Sequence, residues 1–315
     1  MGKKNDKKDL IQNSVCFSLF LTATNTCPNG DPLNGNAPRE INGYGHISTE
    51  CLKRKIRNRF QDMGEDVLVA LKGRGKDDEV DSIQNRMNRE KLLVEADKSA
   101  SEEDKLPQNV LLNHFIDVRM FGAVIASKAK TKDGEESDGR GVSIGIRGAA
   151  SVQGAMSVDP IDVHFEQITK CINGEGDGVK KGSDTMGSKQ FVDFAMYRVD
   201  GYISANVGRK NGVTTEDVAK LKRALSTLFK NDFSGARSEG SMEVVKLVWW
   251  EQNDSDDEEN ISSALPMTPA AIYRTVQAKK KETLEDEYPR EYSDYEIKVN
   301  APKSEAVKTE ILDFV

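Results

Sequence analysis

No apolar run in this 315-residue chain approaches the roughly 20 residues that a membrane-spanning helix needs. Residues 1–10 (MGKKNDKKDL) are charged, and the apolar stretch at 15–21 is short and ends in turn residues. Both features argue against a secretory signal, so a cytoplasmic protein is expected. Cysteine is scarce: Cys16, Cys27, Cys51 and Cys171 are scattered, with no CxxC pair. They read as free thiols in a reducing compartment. The three histidines, His46, His114 and His164, are equally dispersed, so no zinc site takes shape, and nothing points to a Cys–His nucleophile. A basic excess is missing too, because 45 Lys+Arg face 52 Asp+Glu for a net charge of −7. Taken alone, that balance argues against nucleic-acid binding.

The distribution of charge changes this reading. Acids concentrate at 77–81, 99–105, 133–138 and 253–260, in stretches that read as solvated loops, and elsewhere the chain is locally basic. Apolar residues, 37% of the chain, fall into periodic runs, as a folded soluble protein requires. Residues 14–24 alternate with both faces apolar and predict a central strand. Ser48 caps a predicted helix to about residue 60, with Cys51, Leu52, Ile56 and Phe60 on one face. Residues 63–140 read as an insertion. A Gly-rich strand follows at 141–158, then a second insertion at 159–189, a long strand at 190–207, a helix capped by Thr214, and a strand at 242–251. Residues 252–315 form an acidic linker and a C-terminal segment with mixed signals. Without the insertions the order is βαββαβ. That predicts an α+β, ferredoxin-like or RRM-like unit whose two helices pack on one face of a four-stranded antiparallel sheet. The other face is left free for a ligand or for the insertions. The palm comprises 14–62, 141–158 and 190–251.

Four motifs bear on chemistry. The run TATNTCPNGDPLNGNAPRE (22–40) is rich in Asn, Gly and Pro. As a calcium loop it fails, since Asp31 is its only carboxylate between Asn25 and Arg39 and Pro32 interrupts the ligand spacing. Turn formation and contact with a nucleic-acid backbone both stay open. GSDTMGSK (182–189) nearly matches a phosphate-binding P-loop, but Ser188 and Lys189 stand in the wrong order and a strand follows. A flexible Gly/Lys loop touching phosphates stays open there. Lys53, Arg54, Lys55, Arg57 and Arg59 crowd one helix against a single acid, Glu50. They form either an ordinary solvated face or a phosphate contact indifferent to base sequence. Asp117, Asp159, Asp162 and Asp193 lie beside apolar segments and read as caps or turn residues. No nucleophile–base constellation emerges.

Five segments together carry a resemblance: NGDPLNGNAPRE, GHIST-CLKRKIRN, DVRMFGA, SIGIRGAASVQ and MGSKQFVDFAMYRVDGYIS. In order and spacing they resemble the repeated, crRNA-binding backbone subunit of type I CRISPR Cascade, in the I-C/I-B branch of the RAMP superfamily. The resemblance covers about residues 14–250. It implies an RRM-like palm, a finger insertion at 63–140 and a thumb insertion at 159–189. It also implies a non-catalytic subunit that polymerises head to tail along the guide RNA and presents the spacer to a target DNA strand. Further Cascade subunits are implied as partners, with no cofactor, metal or membrane.

The family's RNA-facing positions correspond here to Asn36 and Arg39, to Ser48, Lys53, Arg54 and Arg57, to Phe121 and Gly122, and to Met186, Gly187, Ser188 and Lys189. Cys27 departs from the Asn that commonly opens the family's loop, which puts a direct role for that position in doubt. Two rival expectations stand beside this one. The first is a metal-dependent RNA endonuclease using Asp31 or Asp133. The second is a sugar- or metal-binding interaction protein.

Overall fold

The structure is a computed structural model, and it describes residues 9–70, 82–127, 142–169, 186–253, 267–284 and 288–315. The chain opens with β1 (Asn13–Thr26), then the short strands β2 (Gly30–Asp31), β3 (Ala37–Pro38), β4 (Glu40–Ile41) and β5 (Tyr44–Ile47). Helices α1 (Thr49–Asp62), α2 (Ile83–Ala96), α3 (Pro107–His114) and α4 (Ile116–Phe121) follow. Next come β6 (Gly122–Ser127), β7 (Val142–Arg147), β8 (Ala150–Val152), β9 (Ala155–Pro160), β10 (Val163–Thr169) and the long β11 (Met186–Ile203). After α5 (Ala205–Asn211), α6 (Thr215–Ser226) and β12 (Met242–Asn253), the chain ends in α7 (Pro269–Tyr273), β13 (Val276–Lys280), β14 (Tyr295–Val299) and β15 (Val307–Asp313).

One antiparallel sheet dominates, in the order β15-β12-β1-β11-β9-β5-β4, with β8 and β10 also pairing with β11. β1 sits in its centre because both of its faces are apolar, as its sequence predicts. Phe17, Leu19 and Leu21 point into a core shared with Leu52, Ile56 and Phe60 of α1 and Leu221 and Leu225 of α6. Phe17 stacks on Trp249 of β12 at 6.0 Å between ring centres. Its ring fits because Gly201 lies opposite it on β11, where an added Cβ would come within 2.1 Å of the ring. Ser48 and Thr214 cap α1 and α6 as their sequences predict; Thr214 does so in a reciprocal capping box with Asp217.

The opposite sheet face is not free. Cys16, Phe20, Met196, Val248 and Trp250 on that side are sealed by Ile272, Val276 and Tyr295 from the C-terminal elements. Arg198 fastens the cover. Its guanidinium donates to the carbonyls of Tyr273 (2.7 Å) and Val276 (3.0 Å) while its Nε pairs with Asp200 at 2.9 Å. The mixed C-terminal sequence thus folds onto its own sheet, and β15 extends the edge beside β12.

Two further differences concern element ends. The long strand stops at Ile203 rather than 207, because the Ser204 hydroxyl accepts from the Val207 amide and starts α5. The Gly-rich stretch 141–158 breaks into three strands. Its first, β7, pairs with β6 instead of the main sheet. Together with α3 and α4, that hairpin closes a satellite core of Leu68, Leu111, Phe115 and Val118.

Candidate nucleic-acid interface

The Asn/Gly/Pro run is a tied-down ribbon. β2 and β3 pair across it, and the Asp31 carboxylate caps the intervening 3-10 turn by accepting from the Leu33 amide at 3.2 Å. Gly35 and Asn36 both take left-handed backbone, with φ of 58° and 59°, which turns the chain back on itself. Asn29 then anchors the ribbon to α1: its Oδ1 accepts from the Ser48 amide at 2.9 Å, while the Ser48 hydroxyl accepts from the Cys51 amide at 3.2 Å. Arg39 leaves the ribbon beside this helix start. Its Nη2 lies 3.4 Å from Asp31 Oδ1, and its buried Nε has no hydrogen-bond partner among the described residues. The rest of the guanidinium stays about one third exposed, within reach of an added acceptor.

The cations of α1 do not form one solvated face. Lys55 is buried and pairs with Asp232, a carboxylate that also lies 3.0 Å from Arg237 Nε. Arg59 is buried as well; its Nε donates to Thr227 Oγ1 at 2.7 Å. Arg57 Nε donates to Asp117 Oδ2 at 2.8 Å, and Asp117, only 1% exposed, also accepts from the Leu68 amide at 2.7 Å. Arg54 donates to the Val69 carbonyl at 2.9 Å. Among the described residues Lys53 has no ion pair. Its ammonium lies 5.6 Å from the centre of the Phe121 ring, which Arg57 approaches to 5.3 Å. Desolvation, followed by the neighbouring Arg57 charge, lowers the Lys53 pKa.

Phe121 ends α4, and Gly122 follows at a φ of 75° and ψ of 179°, a region that glycine alone occupies comfortably. The backbone of β7 crosses there so closely that a Cβ on Gly122 would meet the Ile146 carbonyl at 2.2 Å. The last group lies on a hairpin: Met186, Gly187, Ser188 and Lys189 of β11 pair with Thr169, Ile168, Gln167 and Glu166 of β10. Lys189 sits 5.3 Å from the centre of the Phe191 ring. At the foot of this hairpin, Gln190 reaches the ribbon: its Nε2 would lie 3.6 Å from a Cβ on Gly35. The first residues of the Gly/Lys stretch, 182–185, lie outside the described residues.

The structure brings only part of the twelve positions together. Asn36 and Arg39 lie on the ribbon that Asn29 ties to Ser48 at the helix start, while Met186, Gly187, Ser188 and Lys189 stay on the hairpin, from which Gln190 reaches the ribbon. Lys53, Arg57, Phe121 and Gly122 meet one turn further along α1. Arg54 serves the fold beside them. Sequence reasoning did not find the buried partners Asp232 and Arg237, since nothing in the local pattern KNDFSGARS marks them as facing α1. Among the described residues, no group of three or more His, Cys, Asp or Glu side chains is placed to hold a metal. Asp31 is engaged with Arg39 and the Leu33 amide, and Asp133 lies outside the described residues.

Burial raises the pKa of both Cys27 and Cys51, only partly offset by nearby cations. Neither thiol is primed as a nucleophile. Iodoacetamide at pH 7 is expected to label both far more slowly in the native than in the urea-unfolded protein, as read by mass spectrometry. Equal rates would contradict the burial of these thiols.

These features describe a mixed α/β protein on one antiparallel sheet, with cations and a tied loop at one helix start. The family model described as CRISPR-associated protein Cas7 matches residues 13–300. The chain belongs to the Cas7 family. Its described helices include none long and apolar enough to cross a membrane. One solved chain, titled "CRISPR RNA-guided surveillance complex, pre-nicking", shares 16% identity at a TM-score of 0.44, covering 82% of this chain and 81% of its own. Another, titled "CRISPR RNA-guided surveillance complex", shares 14% at 0.42, covering 83% and 74%. Those scores are too low to define a common fold by themselves. No curated protein matches the sequence.

Proposed function

We propose that this protein is a non-catalytic structural subunit of a CRISPR Cascade surveillance complex. Several copies line up head to tail along a guide RNA, hold its backbone, and present the spacer for pairing with target DNA beside other Cascade subunits. The order β12-β1-β11-β8/β9, with α1 and α6 sharing one core, supports an RRM-like palm. The satellite hairpin unit and the β10–β11 arm take the finger and thumb positions. Because the chain's own C-terminal elements cover the second sheet face, RNA does not stack on the sheet. It runs along the ribbon, the start of α1, Phe121 and the foot of the hairpin.

The observation that carries this reading is the division of labour among the cations. Those at the rear of α1 are consumed by internal partners. Arg39, about one third exposed, and Lys53, with no ion pair among the described residues, stand at the leading end. Asn36 lies on the same ribbon as Arg39, and Ser188, on the strand face of Gln190, faces this track from the hairpin, whereas Gly187 and Lys189 lie on the opposite face. Such contacts read phosphate rather than base and are strongly salt-dependent.

Arg39→Ala and Lys53→Ala should each lower guide-RNA retention and reduce the slope of log affinity against log salt by roughly one. Asp31→Asn should retain RNA at least as well as wild type, because it removes the carboxylate that competes for Arg39. Affinity titrations at several salt concentrations check this. Unchanged slopes in both cation variants would overturn the interface.

A further inference from the structure

Two braces tie the ribbon to α1. One is the Asn29–Ser48 bond described above. The other runs through the loop between α6 and β12, residues 227–241. Where β12 ends its pairing with β1 at Met242 and Ala23, this loop takes over beside the last residues of β1. The Thr24 amide donates to the Ser241 carbonyl at 2.8 Å, and the Cys27 amide donates to the Ala236 carbonyl at 3.3 Å. The Thr26 hydroxyl donates to the same Ala236 carbonyl at 3.2 Å. The loop therefore holds the residues from which the ribbon departs.

Asp232 and Arg237 fasten that loop. Arg237 Nε donates to the Asp232 carboxylate at 3.0 Å and to the Asp232 main-chain carbonyl at 3.2 Å. Its Nη1 reaches the Cys27 carbonyl at 3.5 Å. The Asp232 carboxylate pairs in turn with Lys55 on α1, two residues beyond Lys53. A chain of contacts thus runs from the ribbon entry through Arg237 and Asp232 into the helix that carries Lys53.

Charge distinguishes this cluster from simple core closure. Lys55 and Asp232 alone form a buried pair of opposite charges, 4% and 8% exposed. Arg237 brings a second cation to the same carboxylate. Burial, followed by the Arg237 charge, lowers the Lys55 pKa, so the two cations oppose each other. By charge alone, the pair is complete without Arg237. What the arginine adds is the link between Asp232 and the ribbon entry. Phosphate contacts gain from cations held in place before binding, because less ordering is then needed on association.

We infer that Arg237, acting through Asp232, is a positioning residue for RNA binding: it sets the ribbon, and with it Arg39, relative to Lys53 on α1. The inference rests on the proposed RNA track and adds the brace that aligns its cations.

The test uses Arg237→Ala, which leaves Lys55 and Asp232 as a matched pair. Affinity for a single-stranded RNA is titrated at several salt concentrations, with this change alone and combined with Arg39→Ala. Affinity should fall about fivefold, as loss of a coupled support does. The slope of log affinity against log salt should stay unchanged, because no phosphate contact is removed. In the Arg39→Ala background the further loss should shrink to less than about twofold, whereas a general loss of stability would add in full. Wild-type affinity overturns the inference, and so does an additive loss. A slope lowered by about one overturns it too, because Arg237 would then touch phosphate directly. If wild type binds no RNA, the proposed function fails, and hydrogen exchange without RNA decides the brace alone. Protection at the Cys27 and Arg39 amides, which donate to the Ala236 and Asn29 carbonyls, must fall in the variant while β1 and β12 keep theirs. Equal protection overturns the inference. If Arg237→Ala does not fold, Arg237→Gln, which retains an amide donor toward Asp232, carries the same measurements.

Discussion

Arg57→Ala is expected to destabilise the fold by about 3 kcal/mol, as breaking a buried ion pair from one side does. The partner left behind is Asp117, 1% exposed beneath the satellite core. The Leu68 amide still donates to its Oδ1 at 2.7 Å, which keeps the cost at the low end of the range. Its Oδ2 keeps only the longer contact from the Val69 amide, at 3.3 Å. Urea unfolding would show a lower midpoint with an unchanged slope. Adding Asp117→Asn to the same protein should recover part of the loss, because the buried charge disappears with its partner. An Arg57→Ala midpoint equal to wild type would show that Asp117 does not depend on this arginine. The consequence for the interface is practical. Replacing Lys53, Arg54 and Arg57 together confuses lost RNA contact with lost structure, whereas Lys53→Ala alone leaves in place every ion pair of α1 among the described residues.

The second large effect is expected at Gly122. A side chain there must adopt a backbone conformation costing about 1–3 kcal/mol, and overpacking against fixed backbone adds a similar amount. The contact is with main-chain atoms, the Ile146 carbonyl at 2.2 Å and the Gly148 amide at 2.6 Å, so no side-chain rotation relieves it. Gly122→Ala should therefore pry β6 from β7 and turn Phe121 away from Lys53. Hydrogen exchange would show protection lost first in 122–127 and 142–147, while β1 and β12 keep theirs. Protection retained in those two strands would refute the assignment. In the proposed interface, Gly122 would then serve RNA indirectly, by fixing the ring that precedes it.

How much of this was legible beforehand depended on how far apart the interacting residues lie. β1, α1 and α6 could be read because each announces itself locally: two apolar faces, or a cap followed by a 3.6-residue stripe. The turn character of the Asn/Gly/Pro run was legible for the same reason, although the chain turns at 32–36 and Gly30 lies in β2. The fate of the α1 cations was not, because Lys55 meets Asp232 and Arg57 meets Asp117 only after the sheet has closed. Periodicity places a charge on a face, but whether that face meets solvent or a distant carboxylate is decided by topology. The C-terminal elements escaped for a related reason. Short segments such as α7 and β14 carry few apolar residues each, and their burial depends on a sheet face presented by strands far upstream.

The central position of β1 also governs how the molecule is made. Its neighbours are β11 on one side and β12 on the other, and both are encoded far downstream. At ribosomal rates of about 5–20 residues per second, β1 emerges roughly 10–40 s before the strand that pairs with it is complete. For that interval a ribbon rich in buried apolar side chains has neither sheet nor cover. Until β11 and β12 arrive, both edges of β1 are open to pairing with other chains, which exposes the nascent protein to aggregation.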